Sequence, residues 1–412
     1  MPNKVDFRQV VHALSDALDL VGVDELQHGK RVAFMAVECG RALNFDDEKL
    51  DRLYHAALLH DCGVSSTTVH RYLVTELDWA GANEHCRLGH DLLLGHELFA
   101  DLAPLILHHH THWDQLTTMD LDDETALINN CIYLVDRVDA LVAKQSIEEL
   151  LFCNEEIRDT INKYRGQFFA PQLVDVFMDV SASEFFWLTL QPRHLDLYLS
   201  EMSLDSKEKQ IDKDCFLRIA QMFATIVDAK SPFTVEHSQG VSRLAKQLGI
   251  LLGLPKDNCE DLEVAGLLHD LGKLRVPDEI LEKPGPLNEK ERATMKHHSF
   301  ESYQILRRIE GFESIAEMAA LHHETLSGEG YPFHREGSGL SKEARIIAVA
   351  DIFQALAQNR PYRGSMSPEK TMAILQEMAD NNKLDQEIVR TVKENFSSCW
   401  LAATGNTSPD DT

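Results

Sequence analysis

The sequence predicts an all-α protein built as two helical bundles in tandem, and three observations carry the prediction. Strand signals are sparse, with no alternating Val/Ile/Thr/Tyr runs joined by Asn-Gly or Asp-Gly turns. Apolar residues recur instead at helical spacing. The stretch "AALLHDCG" at 56–63 returns as "AGLLHDLG" at 265–272, so the same adjacent His-Asp pair closes an apolar run once in each half of the chain.

The elements repeat in order. In "HGKRVAFMAVECGRAL" the stripe Val32, Met35, Cys39 and Leu43 follows His28 by one turn. In "HSQGVSRLAKQLGILLGLP" the stripe Val241, Leu244, Leu248 and Leu252 follows His237 in the same register, and Gly253 and Pro255 stop the helix. The step from His28 to His60 equals the step from His237 to His269. His85 and His298 come next, at similar steps, and the pairs His109-His110 and His322-His323 then follow at one identical interval in both halves. Asp136 in "CIYLVDRVDAL" and Asp351 in "IIAVADIFQAL" close the series. Matching steps across five landmarks indicate a tandem duplication. The polar segment "SLDSKEKQIDKD" (203–214) reads as an exposed linker or as the polar start of a helix. The boundary is placed near 205, giving domains 1–204 and 205–412.

A chain of 412 residues suits two cores better than one. The formal charge of −27 argues against a duplex nucleic acid partner, because backbone binding relies on clustered Lys and Arg. The start "MPNKVDFRQV" carries no export signal, and no apolar run approaches membrane length, so a cytoplasmic protein without a membrane partner is expected. Eight cysteines without a CxxC pair are expected to be buried free thiols.

In the second half the landmarks amount to five imidazoles and two carboxylates: His237, His269, Asp270, His298, His322, His323 and Asp351. That is more than one ion needs, and it suits two first-row ions bridged by a carboxylate. Asp270 is the expected bridge. A dinuclear site activates water and neutralises phosphoryl charge, which lets so acidic a chain accept an anionic substrate. Lys273, one turn after the His-Asp pair, can reach a phosphate oxygen. "NRPYRG" (359–364) offers Arg360 and Arg363 as further grips, and the loop "HHETLSGEGYP" ends in Gly330, Tyr331 and Pro332, whose tyrosine can pack on a base or ribose.

These motifs, in this order over roughly 215–395, resemble the HD-GYP subgroup of HD-domain metal phosphohydrolases. The resemblance implies an all-helical fold and hydrolysis of a cyclic dinucleotide at a metal site, commonly iron or manganese, with zinc and nickel left open. Carried over residue by residue, it makes the seven residues above metal ligands and Asp270 and Lys273 catalytic. It makes Lys273, Gly330, Tyr331, Pro332 and Arg360 substrate-facing. Phe233 stands where some members have a Glu for a third metal, so two ions are expected. Ser327 and Gln354 stand where Asp is usual, a departure from the cyclic di-GMP enzymes. With the duplicated architecture, it makes the chain look like a two-domain 3',3'-cyclic GMP-AMP phosphodiesterase; cyclic di-GMP hydrolysis and a non-hydrolytic cyclic dinucleotide receptor are the alternatives. A homodimer is a further expectation.

The first half keeps His28, His60, Asp61, His85, His109, His110 and Asp136 as a candidate second metal set. It has Val64 in place of the lysine and "HHTHWDQL" in place of the GYP loop. Two readings stand side by side: a regulatory module, or a second site acting on a smaller phosphate such as the 5'-phosphate of a linear product.

Overall fold

A computed structural model describes residues 4–22, 27–145, 149–202, 209–230, 236–358 and 365–406. The chain divides into two compact units, one of residues 14–209 and one of residues 210–412 together with the first thirteen. The expected start of the first domain at residue 1 is thereby corrected. Lys4–Asp6 pairs antiparallel with Gln210–Asp212, Val5 facing Ile211, and apolar Phe7, Val10 and Val11 in the following turns are buried. The residue 205 boundary lies outside the described residues. The segment around it ends as the polar start of a helix, one of its two expected readings, preceded by the strand 210–212: Asp212 caps helix Lys213–Ala229 by accepting from Cys215 N at 2.8 Å. Among the described residues these two three-residue strands form the one sheet; the rest is helical, as expected.

Each unit uses the same core. In the first, helix His28–Ala42 packs on Asp47–Leu59 and on Asp123–Val142. In the second, His237–Leu251 packs on Lys256–Leu268 and on Lys342–Ala357. The apolar stripes bury as their spacing requires: Val32, Met35 and Cys39 in one, Val241, Leu244 and Leu248 in the other. Side-chain caps fix where the ligand-bearing helices begin. Asp46 accepts from Lys49 N, Asp122 from Thr125 N and Ser341 from Ala344 N, and Asn288 with Glu291 forms a reciprocal capping box at Glu289–Leu306.

Two local devices recur. The residue before each first histidine is left-handed, Gln27 at φ 68° and Glu236 at φ 70°, which turns the chain sharply so that the histidine opens its helix facing inward. The glycine of each "HDxG" lies against the helix carrying the third histidine. A Cβ on Gly63 would meet His85 O at 2.1 Å, and one on Gly272 would meet His298 O at 2.1 Å. The repeated glycine is there for close approach of two backbones. All eight cysteines are free thiols, seven buried and Cys153 partly so.

Candidate metal centres

In the second unit the seven sequence-selected residues converge. His269 ends helix Lys256–Leu268, so Asp270 follows it in a non-helical conformation and turns back across the site. Asp270 Oδ2 lies 3.2 Å from His269 Nε2 and 3.6 Å from His237 Nε2. Its other oxygen, Oδ1, lies 3.5 Å from His298 Nε2 and 3.8 Å from His322 Nε2. Asp351 Oδ1 completes the first cluster at 3.3 Å from His237 Nε2, and His323 completes the second with His298 and His322. One carboxylate thus presents one oxygen to each of two donor sets.

The histidine tautomers follow from the backbone. Nδ1 of His269 donates to Gly266 O at 2.8 Å, that of His298 to Met295 O at 2.6 Å and that of His322 to Ala319 O at 2.5 Å. A carbonyl only accepts, so Nδ1 carries the proton in each of these rings, and whenever the ring is neutral its unprotonated Nε2 faces the centre. His237 Nδ1 pairs instead with Gln354 Oε1 at 2.5 Å. Burial, then the charge of His323, pushes His298 down to about 3, and burial pushes His323 down to about 4. Burial opposes ionisation of Asp270, but the His269 and Lys273 charges hold its carboxyl well below the usual range. Buried His269 Nε2 and Asp270 Oδ1 have no hydrogen-bond partner, a costly state for polar atoms that a cation in the donor set of each would remove. Imidazole and carboxylate donors in this arrangement fit two divalent first-row ions.

Lys273 sits at the rim with Nζ 2.5 Å from Asp270 Oδ2. The GYP loop folds over the second cluster. Tyr331 lies tilted beside His323, ring centroids 4.8 Å apart, and Tyr331 N donates to His323 O. Gly330 is required, since a Cβ would meet Glu324 Cα at 2.4 Å. Arg360, Arg363 and Phe233 lie outside the described residues.

The first unit reproduces the geometry. Asp61 Oδ2 lies 3.6 Å from both His28 Nε2 and His60 Nε2, while Oδ1 lies 3.3 Å from His85 Nε2 and 3.7 Å from His109 Nε2. Asp136 Oδ1 is 3.6 Å from His28 Nε2, and its Oδ2 is 3.7 Å from His110 Nε2. His60 and His109 donate Nδ1–H to Ala57 O and Ile106 O, matching His269 and His322. All seven candidate residues are therefore brought together here too. "HHTHWDQL" forms the short helix Trp113–Leu116, with His112 stacked on Phe168 at 3.9 Å, where the second unit has its loop.

Sequence reasoning missed several supporting residues. Glu324 accepts from the backbone of Phe333, His334 and Arg335, at 2.6, 3.0 and 3.2 Å, and so pins the GYP loop; an acid directly after a ligand pair was its only signal. Asp139 holds His28 Nδ1 at 2.7 Å and is itself gripped by Arg31, where the second unit has Gln354. Asp19 and Asp228 stand at the same distance before the first histidine of their halves, extending the repeat; burial raises them to about 7 and about 6. Lys296 lies over the Tyr331 ring at 5.3 Å.

HD-domain family models match residues 26–141 and 221–388, one per unit. A Vibrio cholerae protein, 3'3'-cGAMP-specific phosphodiesterase 1, is 36% identical over 95% of this chain and 92% of its own. The chain belongs to the HD-domain family. 3'3'-cGAMP-specific phosphodiesterase 3 of the same organism is 27% identical over 95% of each chain. The crystal structure of a V. cholerae cyclic GMP-AMP specific phosphodiesterase, V-cGAP3, superposes with a TM-score of 0.68 at 25% identity, covering 95% of this chain and 98% of that one. No helix among the described residues is long and apolar enough to cross a membrane.

The ionisation of these HD sites sets a pH dependence for the metal-free protein. Burial holds His60 at about 4, alongside His298 at about 3 and His323 at about 4, against 6.5 when unfolded. Between pH 6.5 and about 4 the unfolded chain binds more protons at these rings, so their effect is to lower stability as pH falls through that window. The depressed Asp270 and Asp351 extend the loss as pH falls below 3.8. Raised His28 and His109 act oppositely, contributing fully below 6.5 and losing that contribution as pH rises through their folded values, and buried Asp19 and Asp228, raised to about 7 and about 6, offset part of the loss by taking up protons in the folded state as pH falls toward 3.8. Thermal unfolding in chelator should therefore give a midpoint several degrees lower at pH 4.5 than at pH 6.5; equal midpoints would contradict the neutral histidines.

Proposed function

We propose that the second domain hydrolyses a 3',3'-cyclic dinucleotide, 3',3'-cyclic GMP-AMP before cyclic di-GMP, releasing a linear dinucleotide with a 5'-phosphate. One observation carries the reading: Asp270 offers one oxygen to each of two histidine clusters beneath Lys273, in a chain similar over nearly its whole length to phosphodiesterases. Two divalent ions, iron or manganese in this proposal, supply activated water and neutralise the phosphoryl oxygens. Asp270 keeps the two donor sets in one geometry, and the carbonyl-bonded Nδ1 atoms keep the imidazoles aimed. Lys273 leaves Asp270 for a substrate phosphate oxygen and is the candidate proton donor to the departing ribose oxygen. Gly330, Tyr331 and Pro332 border the nucleotide, and Arg360 and Arg363 are its further contacts in this proposal. A cytoplasmic location and a homodimer belong to the same proposal.

Lys273→Ala should lower kcat/KM about 10²-fold, the scale of one transition-state charge partner, with metal content unchanged. The deciding experiment offers the purified protein with Mn²⁺ or Fe²⁺ four substrates: cyclic di-GMP, cyclic di-AMP and the 3',3' and 2',3' forms of cyclic GMP-AMP. Turnover of the 3',3' hybrid ahead of the others supports the proposal. Binding without turnover of any sinks it in favour of the receptor reading. A second reading is motivated by the complete ligand set of the first domain: removal of the 5'-phosphate from the linear product. Orthophosphate appearing after the linear dinucleotide is its signature.

A further inference from the structure

We infer that the first domain holds its own metal ions and that Cys86 is a thiolate ligand to one of them, so that the two HD sites of this chain take different metals. Cys86 follows His85 as Ser299 follows His298. In the second unit Ser299 Oγ lies 3.2 Å from His298 Nε2. In the first unit Cys86 Sγ lies 3.8 Å from His85 Nε2 and 3.9 Å from His109 Nε2, the two ring nitrogens that face Asp61. Those nitrogens are 3.1 Å apart, and Asp61 Oδ1 lies 3.3 and 3.7 Å from them.

These distances match five of the six edges of a coordination tetrahedron. With bonds of about 2.05 Å to nitrogen or oxygen and about 2.3 Å to sulfur, its edges are about 3.4 Å between the former and about 3.6 Å to sulfur. The five edges above fall within about 0.3 Å of those lengths. An independent feature points into the same space: Asp61 Oδ1 is a buried oxygen without a hydrogen-bond partner, 3.3 Å from His85 Nε2. Cys62, adjacent to Asp61 in sequence, turns its sulfur to Gly89 O instead. Cys86 is fully buried, and its thiol reaches Ala82 O at 3.4 Å; on metal binding that proton passes to solvent and the sulfur turns its charge to the ion.

Thiolate among imidazoles favours zinc, whereas the nitrogen and oxygen donors of the second domain suit iron or manganese. The inference does not rest on the phosphodiesterase reading, and its test does not read activity. Full-length protein is stripped, reloaded with Co²⁺ and scanned in the near ultraviolet, where a thiolate bound to cobalt gives a charge-transfer band. The band is expected in the unaltered protein, in Cys62→Ser and in Asp270→Ala. It is expected to vanish in Cys86→Ser, which installs the second domain's own residue and so keeps the fold, and in Asp61→Ala. A band surviving in Cys86→Ser, or cobalt-loaded unaltered protein without one, overturns the assignment.

Discussion

Asp270→Ala is expected to lose at least about 10³-fold of kcat/KM for 3',3'-cyclic GMP-AMP, because in the proposed centre its carboxylate serves both donor sets and its removal would disturb both. Its two oxygens lie 3.2–3.8 Å from four different imidazole nitrogens, and no other side chain described in the second unit spans the two clusters in this way. Removing it also leaves His237, His269, His298 and His322 without their common counter-charge, so bound metal per chain should fall with activity. The fold should persist, since the buried apolar helices around the site are untouched. Metal analysis beside steady-state kinetics checks both parts; a variant retaining full turnover would remove the second domain from the chemistry.

Gly272→Ala should have the next largest effect, and through position rather than charge. The added Cβ would sit 2.1 Å from His298 O and 2.8 Å from Glu301 Cβ, contacts that real structures do not tolerate. Either the turn after Asp270 or helix Glu289–Leu306 must move. Gly272 N also donates to Ser302 Oγ, which donates in turn to His269 O, so the shift reaches three of the ligands. An overpacked contact of this kind costs about 1–3 kcal/mol, and the misplaced His298 should add a loss of about 10²-fold in kcat/KM. The matching change in the first domain, Gly63→Ala against His85 O, should destabilise to a similar degree while leaving turnover by the second domain largely intact. Equal catalytic loss from both variants would argue against independent centres.

Much of this site was legible because its residues are of rare type at repeated intervals. Histidines on apolar stripes have few reasons to recur at matched intervals in two halves, so ligand identity survives as a pattern. The supporting residues carry no such pattern. Glu324, Asp139 and Arg31 are ordinary polar residues locally, and only folding brings Asp139 onto His28 across 111 positions. The start of the chain was misplaced for a similar reason. Its short strand has no partner nearby in sequence, and Gln210–Asp212 supplies one from beyond the whole of the first unit.

The amino-acid sequence by itself determined the helical class, the duplication and the fourteen candidate ligands, because periodicity and spacing are local properties of a chain. Tertiary structure alone decided which oxygen of Asp270 and of Asp61 serves which cluster, and that Lys273 ends on the bridging carboxylate. It alone placed the sulfur of Cys86, one scattered thiol among eight, 3.8 and 3.9 Å from Nε2 of His85 and His109. The reason is directional: donor atoms act over about 2–4 Å, a scale set by helix ends and backbone packing rather than by intervals along the chain.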